Sequence, residues 1–526
     1  MRNGGTMGQV DRPREQWGTR AGFLLAAIGS AVGLGNIWRF PYVAYENGGG
    51  AFLVPYLIAL LTAGIPVLIF DYAMGHKFRG SPPLAFHRLS RRVTALGWWQ
   101  VAICFVIATY YAVIIAWAAR YVGFSVGQQW GDDPDAFFGE FLHQADEPSF
   151  GTSYVPGVAI PLIVVWLVTL GVLGFGVRRG IEAASKIFIP LLVVLFGILV
   201  VRALFLPGAA SGLDAFFSPD WSAITNGKVW VAAYGQIFFS LSVGFGIMIT
   251  YSSYLRRKAD LTGSALVTGF ANSSFEILAG IGVFAALGFM ATQAGTAIDE
   301  VVTDGVGLAF VAFPAIISEL TAGAAWFGIL FFSSLLIAGL TSLISIVQVL
   351  VSAVQDRTGM DRVPTVLIVG GAAAAVSIAL FPTRGGLFLL DAVDRFINAY
   401  GVALAALVAV VVVAWGLRKL PLLQAHVDSI SVVRLGWIWK ITLGVVTPVV
   451  LGWMMIDSLR AEFAENYSGY SGSFLMIAGW GVALGAIAVG IVLALIPWRN
   501  AGPAPDTAAS GNASHEAVTP AGKDES

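Results

Sequence analysis

The chain has 526 residues, of which 57% are hydrophobic and 12% are charged, and its formal net charge is −1. An ordinary globular domain carries about 25% charged residues, so this composition excludes a string of water-soluble domains. The balance of 30 basic and 31 acidic residues gives no basic surface for nucleic acid. The single cysteine, Cys104, excludes an internal disulfide and a cysteine-based metal cluster. The composition therefore indicates a polytopic membrane protein.

Twelve stretches poor in charge are long enough, or nearly so, to cross a bilayer, since about 30 Å of hydrocarbon needs about 20 helical residues. They are spans 1 to 12, in order 21–38, 47–70, 93–119, 148–177, 187–201, 229–255, 261–291, 322–355, 363–383, 396–417, 441–456 and 471–498. We therefore predict an all-α integral membrane protein with twelve transmembrane helices and no aqueous domain of any size.

The distribution of basic residues predicts the orientation. Lys and Arg gather before span 1 and after spans 2, 4, 6 and 10, whereas alternate loops are acidic, as in Asp132, Asp133 and Asp135. Because cytoplasmic loops are enriched in Lys and Arg, we expect both termini in the cytoplasm and the chain in the cytoplasmic (inner) membrane. Residues 299–321 suit a re-entrant outer loop or a cap, and 499–526 have the composition of a disordered tail.

Spans 1 and 6 carry glycines and polar residues at their centres, where a helix in lipid normally has neither. These residues are Gly29, Gly33, Gly35 and Asn36 in span 1, and Gln236, Ser240, Ser242, Gly244 and Gly246 in span 6. Spans 1 and 6 open two five-span halves. Interruptions at matching positions of two halves indicate a transporter with inverted repeats and a binding site at the breaks. The alternative is that the glycines only let helices pack closely.

Five polar side chains lie in otherwise apolar parts of spans 1, 6, 7 and 8: Asn36, Ser240, Asn272, Thr341 and Ser342. An unwound segment offers carbonyl oxygens to a cation, and the amino ends of half-helices suit a carboxylate. Sodium should prefer oxygen ligands from carbonyl, hydroxyl and amide groups. Each residue alone is also explained by an interhelical hydrogen bond, but together they predict a shared site for an ion and an anion.

Segments 14–20, 33–41, 46–52, 235–242, 244–246 and 338–342 resemble the signature segments of the neurotransmitter:sodium symporter family. The resemblance covers spans 1 to 10 in order and implies a prokaryotic LeuT-like amino-acid transporter. The implied architecture is the LeuT fold, with a 5+5 inverted repeat of helices 1–5 and 6–10 and broken helices 1 and 6. Its expected parts are an inner-gate segment 1–19, repeats 20–206 and 207–417, spans 11 and 12 in 418–498, and the tail.

The resemblance also implies two Na⁺ sites and no organic cofactor. The first site would use Ala31, Asn36, Ser240, Asn272 and the substrate carboxylate. The second would use Gly29, Val32, Ala338, Thr341 and Ser342. Because the substrate carboxylate would ligate the first ion, ion and substrate would each strengthen the binding of the other.

The substrate class follows from Gly33, where monoamine members of the family carry an aspartate in place of the missing substrate carboxylate. A glycine leaves that charge to the ligand and implies an amino acid. The implied substrate-binding residues are Ala31, Gly33, Gly35, Ile107, Tyr111, Phe239, Ser240, Ser242, Phe245, Met248, Ser342, Leu343 and Ile346. None is charged, which favours a neutral, apolar side chain, aliphatic or aromatic.

Ionisable residues within spans are expensive in lipid and are functional candidates for that reason. By resemblance, the outer gate would be formed by Arg39, Gln236 and Asp394, and the inner gate by Arg14, Trp17, Tyr254 and Asp356. Glu276 would replace the chloride bound by animal members, which implies chloride-independent transport. Asp71 would brace the unwound part of span 6, although the family usually has a glutamate there.

These patterns predict a sodium-coupled symporter that imports neutral hydrophobic amino acids by alternating access. No activated nucleophile, metal cluster or phosphate-binding loop indicates an enzyme. Expected partners are the amino acid and the lipid bilayer, without nucleic acid, and the chain would be a monomer or homodimer. Two alternatives stay open: a proton-coupled permease of the same fold, which would need a basic residue on span 5, and a non-transporting amino-acid-binding sensor.

Overall fold

The computed structural model describes residues 14–151, 153–302, 305–320 and 322–498. The first thirteen residues of the predicted inner-gate segment and the predicted tail lie outside this part of the chain. Ten continuous helices in it are long and apolar enough to cross a membrane. These are Gly50–Phe78, Arg91–Ser125, Pro156–Gly174, Val177–Leu204, Leu261–Ala294, Ala324–Thr358, Arg362–Leu380, Gly386–Gly416, Trp437–Gly469 and Gly472–Leu495. They correspond to predicted spans 2 to 5 and 7 to 12, and we keep those numbers.

The two spans predicted to be broken are the two that do not form one continuous helix. Span 1 consists of Arg20–Ala31 and Leu34–Glu46, which meet at 54° and together supply an eleventh candidate span. Span 6 consists of Gly227–Ser240 and Ile247–Ser253, each too short to cross a bilayer alone. The all-helical membrane fold is confirmed, whereas the count of twelve spans is not confirmed by length and composition.

Spans 5, 10 and 11 are longer than predicted because their helices continue through charged residues. Span 5 begins at Val177 rather than near residue 187, and Lys186 lies inside it, where its ammonium group is 2.7 Å from Glu182. Span 10 begins at Gly386 rather than near residue 396, so Asp394 lies within the helix and accepts a hydrogen bond from Asn398 (2.8 Å). Partnered polar groups cost far less in a membrane helix than isolated ones.

Burial separates central spans from peripheral ones. In the most apolar stretch of each span, 83% of the residues of span 3 and 78% of those of span 8 are buried. The buried share is only 33% in spans 4, 5, 9 and 12. Span 3 packs along span 8, and broken span 1 contacts both span 7 and span 8. The short apolar helix Gly305–Ser318 lies where the re-entrant loop was predicted. The two breaks are therefore enclosed by spans 3, 7 and 8.

Candidate functional site

The break in span 1 is two residues long. The first helix ends at Ala31, and Gly33 forms the amino-terminal cap of the next, with its own N–H donating to the Asn36 side-chain oxygen (2.9 Å). All of these groups are buried. Asn36 thus accepts a hydrogen bond from a backbone N–H that the break would otherwise leave unpaired. An unpaired backbone group in lipid costs several kcal/mol.

The break in span 6 covers residues 241–246 and has positive φ angles at Ser242 (52°), Gly244 (87°) and Gly246 (93°). Asp71 accepts a hydrogen bond from the Gly244 N–H (3.2 Å), which places it where a brace was expected. Gln100 donates to the Gly244 carbonyl (2.8 Å).

Cys104 also holds the break in span 6, because its thiol donates to the Phe245 carbonyl (3.1 Å). Sequence reasoning missed the roles of Gln100 and Cys104. The signal for Gln100 was present, since it is an isolated amide in an otherwise apolar stretch of span 3.

Three of the four residues expected at the first sodium site are joined in one buried chain. Asn36 donates to the Asn272 side-chain oxygen (2.9 Å), and Asn272 donates to the Ser240 hydroxyl (3.0 Å). Ala31 ends the helix beside them and is buried. The chain connects side chains of spans 1, 6 and 7 beside the two breaks.

The residues expected at the second sodium site also lie close together. The Thr341 hydroxyl donates to the Ala338 carbonyl (2.9 Å), and the Ser342 hydroxyl lies 3.5 Å from the Gly29 carbonyl. Val32 is buried in the break of span 1, next to Gly33. A Cβ added at Gly29 would come 2.5 Å from Ile189 of span 5, so span 5 presents an apolar side chain here.

Hydroxyl groups face Gly33 from two other spans. A Cβ at this position would lie 3.1 Å from the Ser342 hydroxyl oxygen and 3.2 Å from that of Tyr111. Tyr111 also accepts the Leu34 N–H at 3.4 Å. Two hydroxyls and the amino end of a half-helix therefore converge on Gly33, and donors of this kind suit a carboxylate.

The expected apolar half of the substrate pocket is buried and comes from three spans: Ile107 from span 3, Phe245 and Met248 from span 6, and Leu343 and Ile346 from span 8. Ser242 of the break is also buried, and its hydroxyl donates to the Ser30 carbonyl of span 1 (2.9 Å).

Phe239 is partly exposed and lies tightly against Gly35, where an added Cβ would come 2.3 Å from its ring. A side chain at position 35 would therefore displace this aromatic ring.

Glu276 is a buried carboxylate with partners on two other spans. Gln236 donates to one of its oxygens (2.6 Å), and the Tyr56 hydroxyl hydrogen-bonds to the other and lies 2.7 Å from Ser273. Gln236, expected beside Arg39, is therefore engaged with Glu276. The sequence did not identify this role of Tyr56, because a tyrosine in an apolar span is equally well explained by packing against its neighbours.

Arg39 and Asp394, expected as the outer gate pair, are both partly exposed. The Arg39 guanidinium lies 4.3 Å above the Phe239 ring. A cation–π contact therefore places this cation over the aromatic ring of the broken helix.

On the side of the protein opposite Arg39, a cluster of contacts around Arg14 closes the structure. Arg14 forms an ion pair with Asp356 (2.6 Å), donates to the hydroxyls of Ser253 and Ser352, and lies over the Tyr254 ring. Burial acts to lower the pKa of Arg14, and its neighbours, Asp356 foremost, more than offset this and raise it. The guanidinium therefore keeps its charge.

Trp17 completes this seal. Its ring is buried and its indole N–H donates to the Tyr251 carbonyl (2.8 Å). Its edge-to-face contact with Tyr254 (6.4 Å between ring centroids) connects it to the Arg14 cluster. The four residues expected at the inner gate thus form one connected group.

Two broken helices around buried oxygen atoms, with charged residues at both ends, are typical of a membrane transporter. The profile of the sodium:neurotransmitter symporter family matches residues 14–134 and 133–501. The chain belongs to this family.

The chain is also similar to individual transporters. An uncharacterized sodium-dependent transporter of Methanocaldococcus jannaschii is 40% identical over 485 residues, 91% of this chain and 97% of that protein. The sodium-dependent serotonin transporter of Drosophila melanogaster is 31% identical, over 91% of this chain and 82% of that protein. The sodium- and chloride-dependent glycine transporter 2 of Xenopus laevis is 28% identical, over 90% of this chain and 68% of that protein.

Proposed function

We propose that this chain is a symporter that imports neutral, hydrophobic amino acids together with sodium and does not need chloride. The observation that carries the proposal is the arrangement around Gly33. Hydroxyls of Tyr111 and Ser342 converge on it, and the buried chain of Asn36, Asn272 and Ser240 lies next to the same break. A substrate carboxylate bound beside Gly33 would accept hydrogen bonds from these hydroxyls and reach an ion held by the amides.

The apolar pocket residues support a neutral side chain. A charged substrate group would lose its hydration against Met248, Leu343 and Ile346, and burial of an unpaired charge costs far more than it could regain. Methionine adapts to different shapes, so we expect both aliphatic and aromatic amino acids to bind.

Sodium rather than proton coupling is supported by span 5. A proton-coupled carrier of this fold would place a basic group at the second ion site, whereas Ile189 lies against Gly29 here. Lys186 is engaged with Glu182. The Thr341 and Ser342 hydroxyls supply neutral oxygen atoms, which suit Na⁺.

Chloride independence rests on Glu276. Its carboxylate, held by Gln236 and Tyr56, would supply the negative charge that animal members of the family obtain from chloride. The Xenopus relative is sodium- and chloride-dependent by name, so the two proteins offer a direct contrast.

Uptake of labelled leucine and tryptophan into proteoliposomes tests the proposal. Concentrative uptake should require an inward Na⁺ gradient and should be unchanged when gluconate replaces chloride. Asn36→Ala should abolish sodium-dependent uptake, while Asn47→Ala, which changes an amide at the end of the same helix, should retain it. Uptake driven by a proton gradient alone would contradict sodium coupling. Sodium-dependent binding without uptake would identify a sensor.

A further inference from the structure

A groove on the peripheral surface, distinct from the transport site, lies between spans 3, 4 and 8. It has a volume of about 540 Å³, within the range of sites that hold small organic molecules. Its floor includes Leu336 and Leu340 of span 8, and one wall is span 4. Of the residues lining it in the described part of the chain, Arg120 alone is charged. The groove is thus an apolar trough with one cation.

The wall on span 4 is a straight stripe. Pro156, Ile160, Val164 and Val168 line the groove at every fourth position, which places them on one face of the helix. Twelve residues separate the first from the last, a rise of about 18 Å. One leaflet contributes about half of the 30 Å hydrocarbon thickness. The trough is therefore about as long as one leaflet is deep.

The cation lies at one end of the trough. Pro156 is the first residue of span 4, and Arg120 lies five residues before the end of span 3 at Ser125. Both are therefore near the membrane surface. The Arg120 guanidinium lies 4.7 Å from the Phe124 ring centroid, and the side chain is exposed. Arginine binds phosphate oxygens with charge-assisted hydrogen bonds.

We propose that this groove binds a phospholipid, with one acyl chain along span 4 and the lipid phosphate on Arg120. A phospholipid is the bilayer component that carries an anionic phosphate at one end of an apolar chain about as long as one leaflet is deep. A bound chain would pack against Leu336 and Leu340, on the same helix as Ala338, Thr341 and Ser342. The binding itself does not depend on the proposed transport function.

Photo-crosslinking tests the site in the full-length protein in nanodiscs, with a phosphatidylglycerol probe that carries a diazirine in its acyl chain. Ile160→Trp fills the trough. Leu167→Trp is its matched control, since both residues are on span 4 and 65% exposed, but only Ile160 lines the trough. We expect peptides of spans 4 and 8 to carry the label in the unmodified protein and in Leu167→Trp, with about tenfold less in Ile160→Trp. Equal labelling of the two tryptophan variants would show that the trough holds no specific lipid.

The charge is tested separately. Arg120→Gln should lower crosslinking by about fivefold, because one basic residue at the interface contributes about 1 kcal/mol toward an anionic lipid. Arg120→Lys should retain most of the labelling. Monodisperse elution and helical circular dichroism of each variant exclude misfolding. Unchanged labelling in Arg120→Gln would overturn the assignment of the phosphate to Arg120. Because the readout is crosslinking, it is independent of whether the protein transports amino acids.

Discussion

The ion pair between Arg14 and Asp356 is the contact whose loss should most favour opening on the Arg14 side. Arg14→Ala removes the 2.6 Å ion pair, the bonds to Ser253 and Ser352 and the contact with Tyr254. Breaking a fully buried pair costs about 3–5 kcal/mol. The two side chains are 21% and 13% exposed, so we expect about 2–3 kcal/mol. That shifts the opening equilibrium about 30- to 150-fold.

The native Cys104 reports this opening without an introduced label. It is the single cysteine of the chain, its thiol is buried against the Phe245 carbonyl, and it lies seven residues before Tyr111 on span 3. Seven helical residues are about 10 Å, toward the Arg14 side. We expect Arg14→Ala to increase the rate of modification by a membrane-permeant thiol reagent by about 30- to 150-fold, and sodium to slow it.

Arg20→Ala is the matched control. Its ion pair with Asp260 is longer (3.4 Å), and the Arg20 side chain is 58% exposed. Exposed pairs contribute about 0–1 kcal/mol, so the rate should change less than about fivefold. If Arg14→Ala and Arg20→Ala gave the same rate, the cluster around Arg14 would not hold that side closed and the reasoning would be refuted.

Three further predictions concern the breaks and the buried carboxylate. Glu276→Ser should make leucine uptake depend on chloride, because the site loses its fixed negative charge; uptake that is equal in chloride and gluconate would contradict this role. Gly35→Ala should weaken substrate binding about tenfold by displacing the Phe239 ring, whereas Gly235→Ala, whose added Cβ would meet only the flexible end of Met454 at 3.1 Å, should bind normally in a scintillation proximity assay. Asp71→Ala should lower the stability by about 1–3 kcal/mol, since the Gly244 N–H would be left buried without this partner; an unchanged thermal unfolding curve would show that Asp71 does not brace the break.

Much of the site could be anticipated because the breaks are local in sequence. Glycine, serine and asparagine at the centre of an apolar span contradict the rule that a membrane helix satisfies its own backbone. That contradiction is visible in the amino-acid sequence itself, and it locates the break of span 1 near Gly33 and the break of span 6 near Gly244. The partners of the breaks are different, since Gln100, Cys104 and Tyr56 come from other spans. Gln100 stands out as an isolated amide in an apolar stretch, but nothing in the chain identifies the hydrogen bonds that these three residues make.

The sequence alone determined the class, the approximate positions of the spans and the residues at the two breaks, because hydropathy and backbone satisfaction act within one segment. The tertiary structure decided the contacts between segments. Packing placed Ile189 of span 5 against Gly29 and directed Gln236 to Glu276. It also extended span 10 through Asp394, with Asn398 as a hydrogen-bond partner. A buried polar group needs a hydrogen-bond partner, and the sequence offers more than one candidate residue. Only the three-dimensional packing of the spans selects the partner.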